Sequence, residues 1–386
     1  MDGLRGVAAI CVMLYHFTQT PAGSWLPSGN VAVDIFFCLS GFVIANAYGA
    51  KLDAGLGAGD FAALRLIRLY PLYFVGLLLG LAQYALASLA GGPRTSGPTL
   101  GLAVVNAIFV LPTLQPFPMG IGADFTDRVL FPFNGPSWSL SMELFCNGLF
   151  LVFRPRGLLL AATIGALAVA LVVTTNIAGQ PCGWGRHIFW GGFPRAMFSF
   201  YLGVALREIW AAGRLPRLGW PLAPLLAVVL ISLAPESKHL FLYVALFGGP
   251  LIVCVAIANP RSTRLAKAFD ALGQASYPVY ALHLPAFGLM KLAYDRATGA
   301  LWDQPPPLAM DLLLAPLVFV ACLWLARRFD APLRRRLTLR RAGVGSRMGA
   351  QRESASICAA VSPNDPGISG ALGLSIWNAT WRAGGS

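Results

Sequence analysis

An all-α, polytopic membrane helix bundle is the fold class this sequence predicts, and three observations predict it. Of its 386 residues, 56% are hydrophobic and only 12% are charged, whereas soluble domains carry about 25% Asp, Glu, Lys and Arg. Lys+Arg 29 and Asp+Glu 16 are too few to coat a water-soluble surface for a chain of this length. The apolar residues also gather in runs close to the about 20 residues that cross the hydrocarbon of a bilayer.

Ten runs suit membrane spans, near 4–20, 31–49, 66–90, 138–153, 158–178, 193–211, 220–235, 240–258, 275–294 and 308–326. The first carries Arg5 inside it and no small-residue cleavage site after it, so it reads as an uncleaved span and not as a signal peptide. A shorter run near 100–112 is bracketed by Pro98 and Pro112. It is too short to span comfortably, and is expected to be a re-entrant or surface segment buried by protein. The last run leads into Arg327, Arg328, Arg334, Arg335, Arg336, Arg340 and Arg341, as a cytoplasmic juxtamembrane anchor does.

The net charge of +13 would suggest a nucleic-acid partner in a soluble protein. Its distribution argues against one, because the stretch from Arg327 onward holds +7 and the rest of the chain +6. With the N-terminus inside, 22 of the 29 Lys and Arg fall on the inner side of the ten-span arrangement. Both termini are therefore expected in the cytoplasm. Counting 100–112 as a full span would put Arg154 and Arg156 outside and flip every later loop.

Residues 1–342 form the expected membrane domain, and 343–386, rich in Gly, Ser, Ala and Pro, an expected disordered cytoplasmic tail. Cysteines occur without CxxC or Cys/His ligand spacing, which gives neither a metal site nor a disulfide framework. The loops leave no room for a soluble catalytic domain. Chemistry must use groups within the bundle or at its edge.

An ionisable side chain in a span costs about 2.5–3.5 kcal/mol on insertion scales, so each is a functional suspect. Arg5 and His16 share the first span, and eleven residues at about 100° each bring them back to within about 20° of one direction. The rise between them is about 16.5 Å, which puts Arg5 near the inner surface and His16 towards the outer one. Asp34 lies near the outer end of the second span, where its carboxylate could hold the His16 tautomer or cap the helix. Arg65 and Arg68 stand at i and i+3 at a predicted cytoplasmic helix mouth, suited to phosphate or to topological anchoring. Glu143, about two turns into a span after Asn134-Gly-Pro-Ser-Trp-Ser139, needs an Arg or His partner from another span. Ser276, Tyr280 and His283 form a polar stripe at i, i+4 and i+7. Tyr280 and His283 could line an inner pocket, and His283 could equally be a core histidine satisfied by a neighbouring span.

Asp2-Gly-Leu-Arg-Gly with His16, Val33-Asp-Ile-Phe-Phe-Cys-Leu-Ser-Gly41-Phe, Arg65-Leu-Ile-Arg-Leu-Tyr-Pro71, Pro136-Ser-Trp-Ser-Leu-Ser-Met-Glu143 and Ser276-Tyr-Pro-Val-Tyr-Ala-Leu-His-Leu-Pro285 follow one another in a telling order. Together, over about residues 1–336, they resemble the integral-membrane acyltransferase family 3, the O-acyltransferases of bacterial surface glycans. Phe329-Asp-Ala-Pro332 stands where the family's closing signature does, with Asp-Ala where Glu and a basic residue are commoner.

The resemblance implies transfer of an acyl group, usually acetyl, from acyl-CoA as co-substrate to a sugar hydroxyl of a polysaccharide, lipopolysaccharide or other glycosylated acceptor across the bacterial inner membrane. It assigns Arg5 and His16 to catalysis and makes Arg65 and Arg68 important for activity. Under this reading Arg65 and Arg68, with Tyr280 and His283, serve the acyl donor, and His16, oriented by Asp34 or Glu143, is the base. The rival reading is a transporter or flippase using the same polar residues as a proton relay. The absence of a recognisable internal repeat counts against it.

Overall fold

The computed structural model describes residues 1–19, 24–92, 94–117, 130–215, 222–256, 263–299 and 308–341, and every regular element among them is helical. A helix occupies each of the ten apolar runs. In chain order these are α1 (Asp2–Phe17), α2 (Ala32–Asp53), α3 (Ala58–Leu89), the short α4 (Gly97–Ile108), α5 (Ser137–Val152), α6 (Gly157–Ala178), α7 (Gly192–Ala211) and α8 (Ala223–Leu233). Next come α9 (Lys238–Tyr243) and α10 (Gly249–Ala256), joined by a wider π turn, then α11 (Thr263–Thr298) and α12 (Leu308–Leu325). The chain divides into a unit Met1–Leu333 and a second unit Arg334–Ser386. Residues 334 to 341 of the second are helical, and the tail expected to be disordered, 343–386, lies outside the described residues.

Among the described residues, four helical segments are long and apolar enough to cross a membrane: Gly29–Asp53, Ala58–Leu89, Gly157–Ala178 and Lys238–Ala256. Others fall short for local reasons. Helices α1 and α5 have 16 residues each, about 24 Å against a hydrocarbon core of about 30 Å. Helix α8 has 11 residues, and α7 carries Arg195, Arg207 and Glu208. The run near 100–112 is the 12-residue α4, begun by Ser96, whose hydroxyl accepts the Thr99 amide, and tied to α3 by Tyr70 and Tyr73, which donate to the carbonyls of Ile108 and Ala107.

The outward faces are apolar, as a lipid solvent requires. Leu158 and Ile177 on α6 are 87% and 82% exposed, and Leu313, Leu317, Val320 and Trp324 on α12 are exposed too. Large apolar side chains exposed along whole helices suit a membrane environment.

Helices approach closely where small residues allow it, since packing and not hydrophobic exclusion joins helices in lipid. On α2 and α7 the device is reciprocal. A Cβ at Gly41 would lie 1.9 Å from the Phe200 carbonyl oxygen, and one at Gly203 would lie 1.9 Å from that of Cys38. Helices α1 and α11 meet the same way, with Gly6 against Leu272 and Gly273 against Asp2. One core joins Leu4, Ala8 and Val12 of α1 to α2, α5 and α7, while a second joins Ala9, Met13 and Phe17 of α1 to α3, α11 and α12. Helix α1 therefore lies between the two cores.

Two sequence-based boundaries move. The span expected from 66 begins at Ala58, and the one expected from 275 begins at Thr263 and runs for 36 residues through Pro278 and Pro285. Pro285 has no N–H for the Ala281 carbonyl, and the Asn134 side chain supplies one at 2.8 Å. The loop entering α5 is thereby fixed to α11.

Candidate active site

A partly open cavity of about 90 Å³ lies where α1, α2, α3, α5 and α11 converge. Its polar wall is built from Arg5 of α1, Ser40 of α2, Arg65 and Arg68 of α3, Ser139 and Glu143 of α5, and Ser276, Tyr277 and Tyr280 of α11. Val33, Phe36, Phe37 and Val43 form much of its apolar wall. The space suits several waters or the end of a flexible chain. Three guanidiniums facing one carboxylate leave positive charge in a low-dielectric setting, which favours an anion.

Arg65 is 4% exposed and its Nη2 donates to Glu143 Oε1 at 2.8 Å. Its Nε is buried without a hydrogen-bond partner. Ser40 donates to the same Glu143 oxygen at 3.0 Å. Arg5 Nη1 is 3.9 Å from Asp2 Oδ1, a loose contact. Arg68 has no ion-pair partner among the described residues. The Tyr280 hydroxyl is hydrogen-bonded to Ser139, whose own hydroxyl lies 3.0 Å from the Pro136 carbonyl. These unspent donors fit a ligand rich in acceptor oxygens.

His16 stands apart from this cavity wall. Its Nδ1 is 2.9 Å from the Val12 carbonyl and 3.1 Å from Nε2 of His283. The His283 ring is 0% exposed, while His16 is partly exposed. Tyr280 lies between the two regions: it lines the cavity and its ring is 6.2 Å from that of His283.

Several expectations are corrected. Asp34 does not orient His16. It is 2% exposed and forms a bidentate pair with Arg195, Nε to Oδ1 at 2.9 Å and Nη2 to Oδ2 at 2.6 Å. Nor does Glu143 orient His16, because its carboxylate is held by Arg65 and Ser40. Arg65 and Arg68 lie within α3 and not at its mouth, since the helix starts seven residues before Arg65. His283 is not on the cavity wall and meets His16 instead.

Arg195 is not among the candidates that the sequence singles out. Its third guanidinium nitrogen donates to the Cys182 carbonyl at 2.8 Å, and its faces lie over Trp138 and Phe241. The available signal was an arginine inside the apolar stretch Phe-Pro-Arg195-Ala-Met-Phe, which demands a buried acid.

Comparison with known proteins adds the chemistry. The family model described as an acyltransferase domain matches residues 1–327. The exopolysaccharide production protein ExoZ of Rhizobium meliloti is 26% identical over 346 residues, covering 86% of this chain and 98% of that protein. The peptidoglycan O-acetyltransferase OatA of Listeria monocytogenes is 26% identical over 372 residues, 87% of this chain and 55% of that protein, so the chain spans about half of it. A protein of the picA locus of Rhizobium radiobacter is 37% identical over 193 residues, 47% of this chain and 94% of that protein. No solved structure matches the chain significantly.

Proposed function

Because the chain belongs to the acyltransferase family whose domain it matches over residues 1–327, we propose that it transfers an acyl group, acetyl first among them, from acyl-CoA to a sugar hydroxyl of a cell-surface glycan. The names of its relatives support a glycan acceptor, one being a peptidoglycan O-acetyltransferase and another an exopolysaccharide production protein. The proposed setting is the bacterial inner membrane, crossed ten times with both ends in the cytoplasm. The charge bias of 22 of 29 Lys and Arg to one side supports this topology.

One observation carries the reading: a single helix, α1, delivers Arg5 to the cationic cavity and the partly exposed His16 to a pair with the buried His283 imidazole. Arg5, Arg65 and Arg68 receive the acyl donor, their guanidiniums binding its phosphates or the carbonyl oxygen that turns anionic. The apolar wall around Phe36 and Val43 accepts the acyl-bearing arm. His16 takes the proton of the acceptor hydroxyl, whose oxygen forms a bond to the acyl carbon as the carbon–sulfur bond breaks. The departing thiolate regains that proton from His16, so the imidazole ends the cycle neutral. Asp34 and Arg195 set the helix geometry and take no part in proton transfer.

The reading is tested by mass spectrometry of surface glycans and secreted glycosides from cells with and without the gene. It predicts the loss of one acyl mass from a defined sugar. Intact acylation, with an unmodified glycan failing to cross the membrane instead, would favour a transporter and overturn it.

A further inference from the structure

We propose that His283 is a positioning residue for His16, accepting the His16 Nδ1–H and thereby leaving Nε2 as the nitrogen that receives the hydroxyl proton. The inference rests on the reading of His16 as the base given above. It concerns how that base is prepared.

Carbonyl oxygens accept hydrogen bonds and never donate them. His283 Nδ1 lies 2.9 Å from the Val279 carbonyl and 3.1 Å from that of Tyr280, so this nitrogen carries the hydrogen. A neutral imidazole has one donor and one acceptor. His283 Nε2 is therefore an acceptor, and it points at His16 Nδ1, 3.1 Å away.

His16 gives the same answer independently. Its Nδ1 lies 2.9 Å from the Val12 carbonyl, so it too must carry the hydrogen. A donor at His16 Nδ1 thus faces an acceptor at His283 Nε2. The reverse assignment would set lone pairs against carbonyl oxygens on both rings. Only Nε2 of His16 is then left with a free lone pair.

In a serine-hydrolase triad a carboxylate holds the histidine in the correct tautomer and orientation. Here the two carboxylates that the sequence suggests for His16 are engaged elsewhere, Asp34 by Arg195 and Glu143 by Arg65. A second imidazole occupies the position. Its own ring is held by two carbonyls of α11 and walled by Phe17, with ring centroids 6.4 Å apart, and Tyr280. During transfer the proton arrives at and leaves His16 Nε2, while Nδ1–H stays with His283 and Val12.

The test uses the whole protein in lipid nanodiscs with 15N-labelled histidine. The chain has 4 histidines, so His187→Gln and His239→Gln simplify the spectrum. The proposal expects His16 with a protonated Nδ1 and an unprotonated Nε2. It expects His283→Leu, which leaves the Val12 carbonyl as the remaining acceptor for His16 Nδ1–H, to weaken the preference for that tautomer and lower kcat by about tenfold to a hundredfold, a share of what a general base supplies, with KM for acetyl-CoA unchanged within about twofold. His283→Gln, whose Oε1 can accept at the Nε2 position, should restore most of kcat. A proton on Nε2 of His16 in the wild type, or a folded His283→Leu protein with unchanged tautomer and kcat, would overturn the proposal. If His283→Leu fails to fold, the wild-type spectrum and His283→Gln decide alone. Retained transfer by His16→Ala would instead defeat the reading of His16 as base and leave the tautomer result standing.

Discussion

Arg65 of α3 and Glu143 of α5 form a 2.8 Å ion pair at the wall of the cavity, and the pair leaves Arg65 Nε buried and unpartnered. The carboxylate holds one guanidinium in place without neutralising the site. Arg5 and Arg68 stand in the same wall, and among the described residues their one ion-pair contact is the loose one of Arg5 with Asp2 at 3.9 Å. The result is a preorganised cationic recess inside an otherwise apolar bundle, the kind of arrangement that binds an anion without having to rearrange.

Removing Arg68, read as a guanidinium for the donor's phosphates, should weaken donor binding more than chemistry. Hydrogen bonds to charged groups contribute about 1.5–3 kcal/mol, which corresponds to about 10- to 150-fold. Arg68→Ala is therefore expected to raise KM for acetyl-CoA about tenfold or more. Steady-state kinetics check this, and a change confined to kcat would contradict it. Arg65→Lys should recover little, because an ammonium cannot hold Glu143 and a ligand with the same planar fork.

The Asp34–Arg195 pair is expected to act on stability. Both partners are almost fully buried, at 2% and 1% exposure, and removing one leaves an uncompensated charge costing about 3–5 kcal/mol. Asp34→Asn or Arg195→Met should lower the thermal midpoint in detergent markedly. Transfer per folded molecule should stay within about twofold, since neither residue reaches the site. A large fall in kcat with unchanged stability would return Asp34 to the active site.

The crossing of α2 and α7 should be intolerant of any side chain at its two glycines. A Cβ on Gly41 or Gly203 would sit 1.9 Å from backbone of the facing helix, so the helices must separate. Gly203→Ala is expected to destabilise by about 1–3 kcal/mol, as overpacking does. Gly49→Ala, on the same helix as Gly41 but with nothing within 4 Å, should be neutral or stabilising by up to about 1 kcal/mol. Thermal unfolding of the two variants, compared side by side, decides it.

The helices were legible from apolar run length alone, because that signal is local. Glu143's need for a cationic partner was legible too, since a carboxylate two turns into a span has few ways to be satisfied. What remained hidden were pairings across the chain. Asp34 meets Arg195 161 residues away, and His16 meets His283 267 residues away. Those partners depend on how α2 packs on α7 and α1 on α11, which small residues such as Gly41, Gly203 and Gly6 control through close contact. Spacing within one helix placed Arg5 and His16 on one face, and it could not say which neighbour each would meet. Shared depth is what suggests Asp34 as one candidate partner for His16, and depth is shared by every helix in a bundle.

The central claim, that His16 is the base for acyl transfer, is tested most directly with purified protein in vesicles given acetyl-CoA labelled in its acetyl group and a cell-wall glycan acceptor. The account predicts label on the glycan with the wild type and a loss of about 10²- to 10⁴-fold for His16→Ala, the range a general base provides, in protein whose thermal midpoint is unchanged. Wild-type transfer by folded His16→Ala would contradict it.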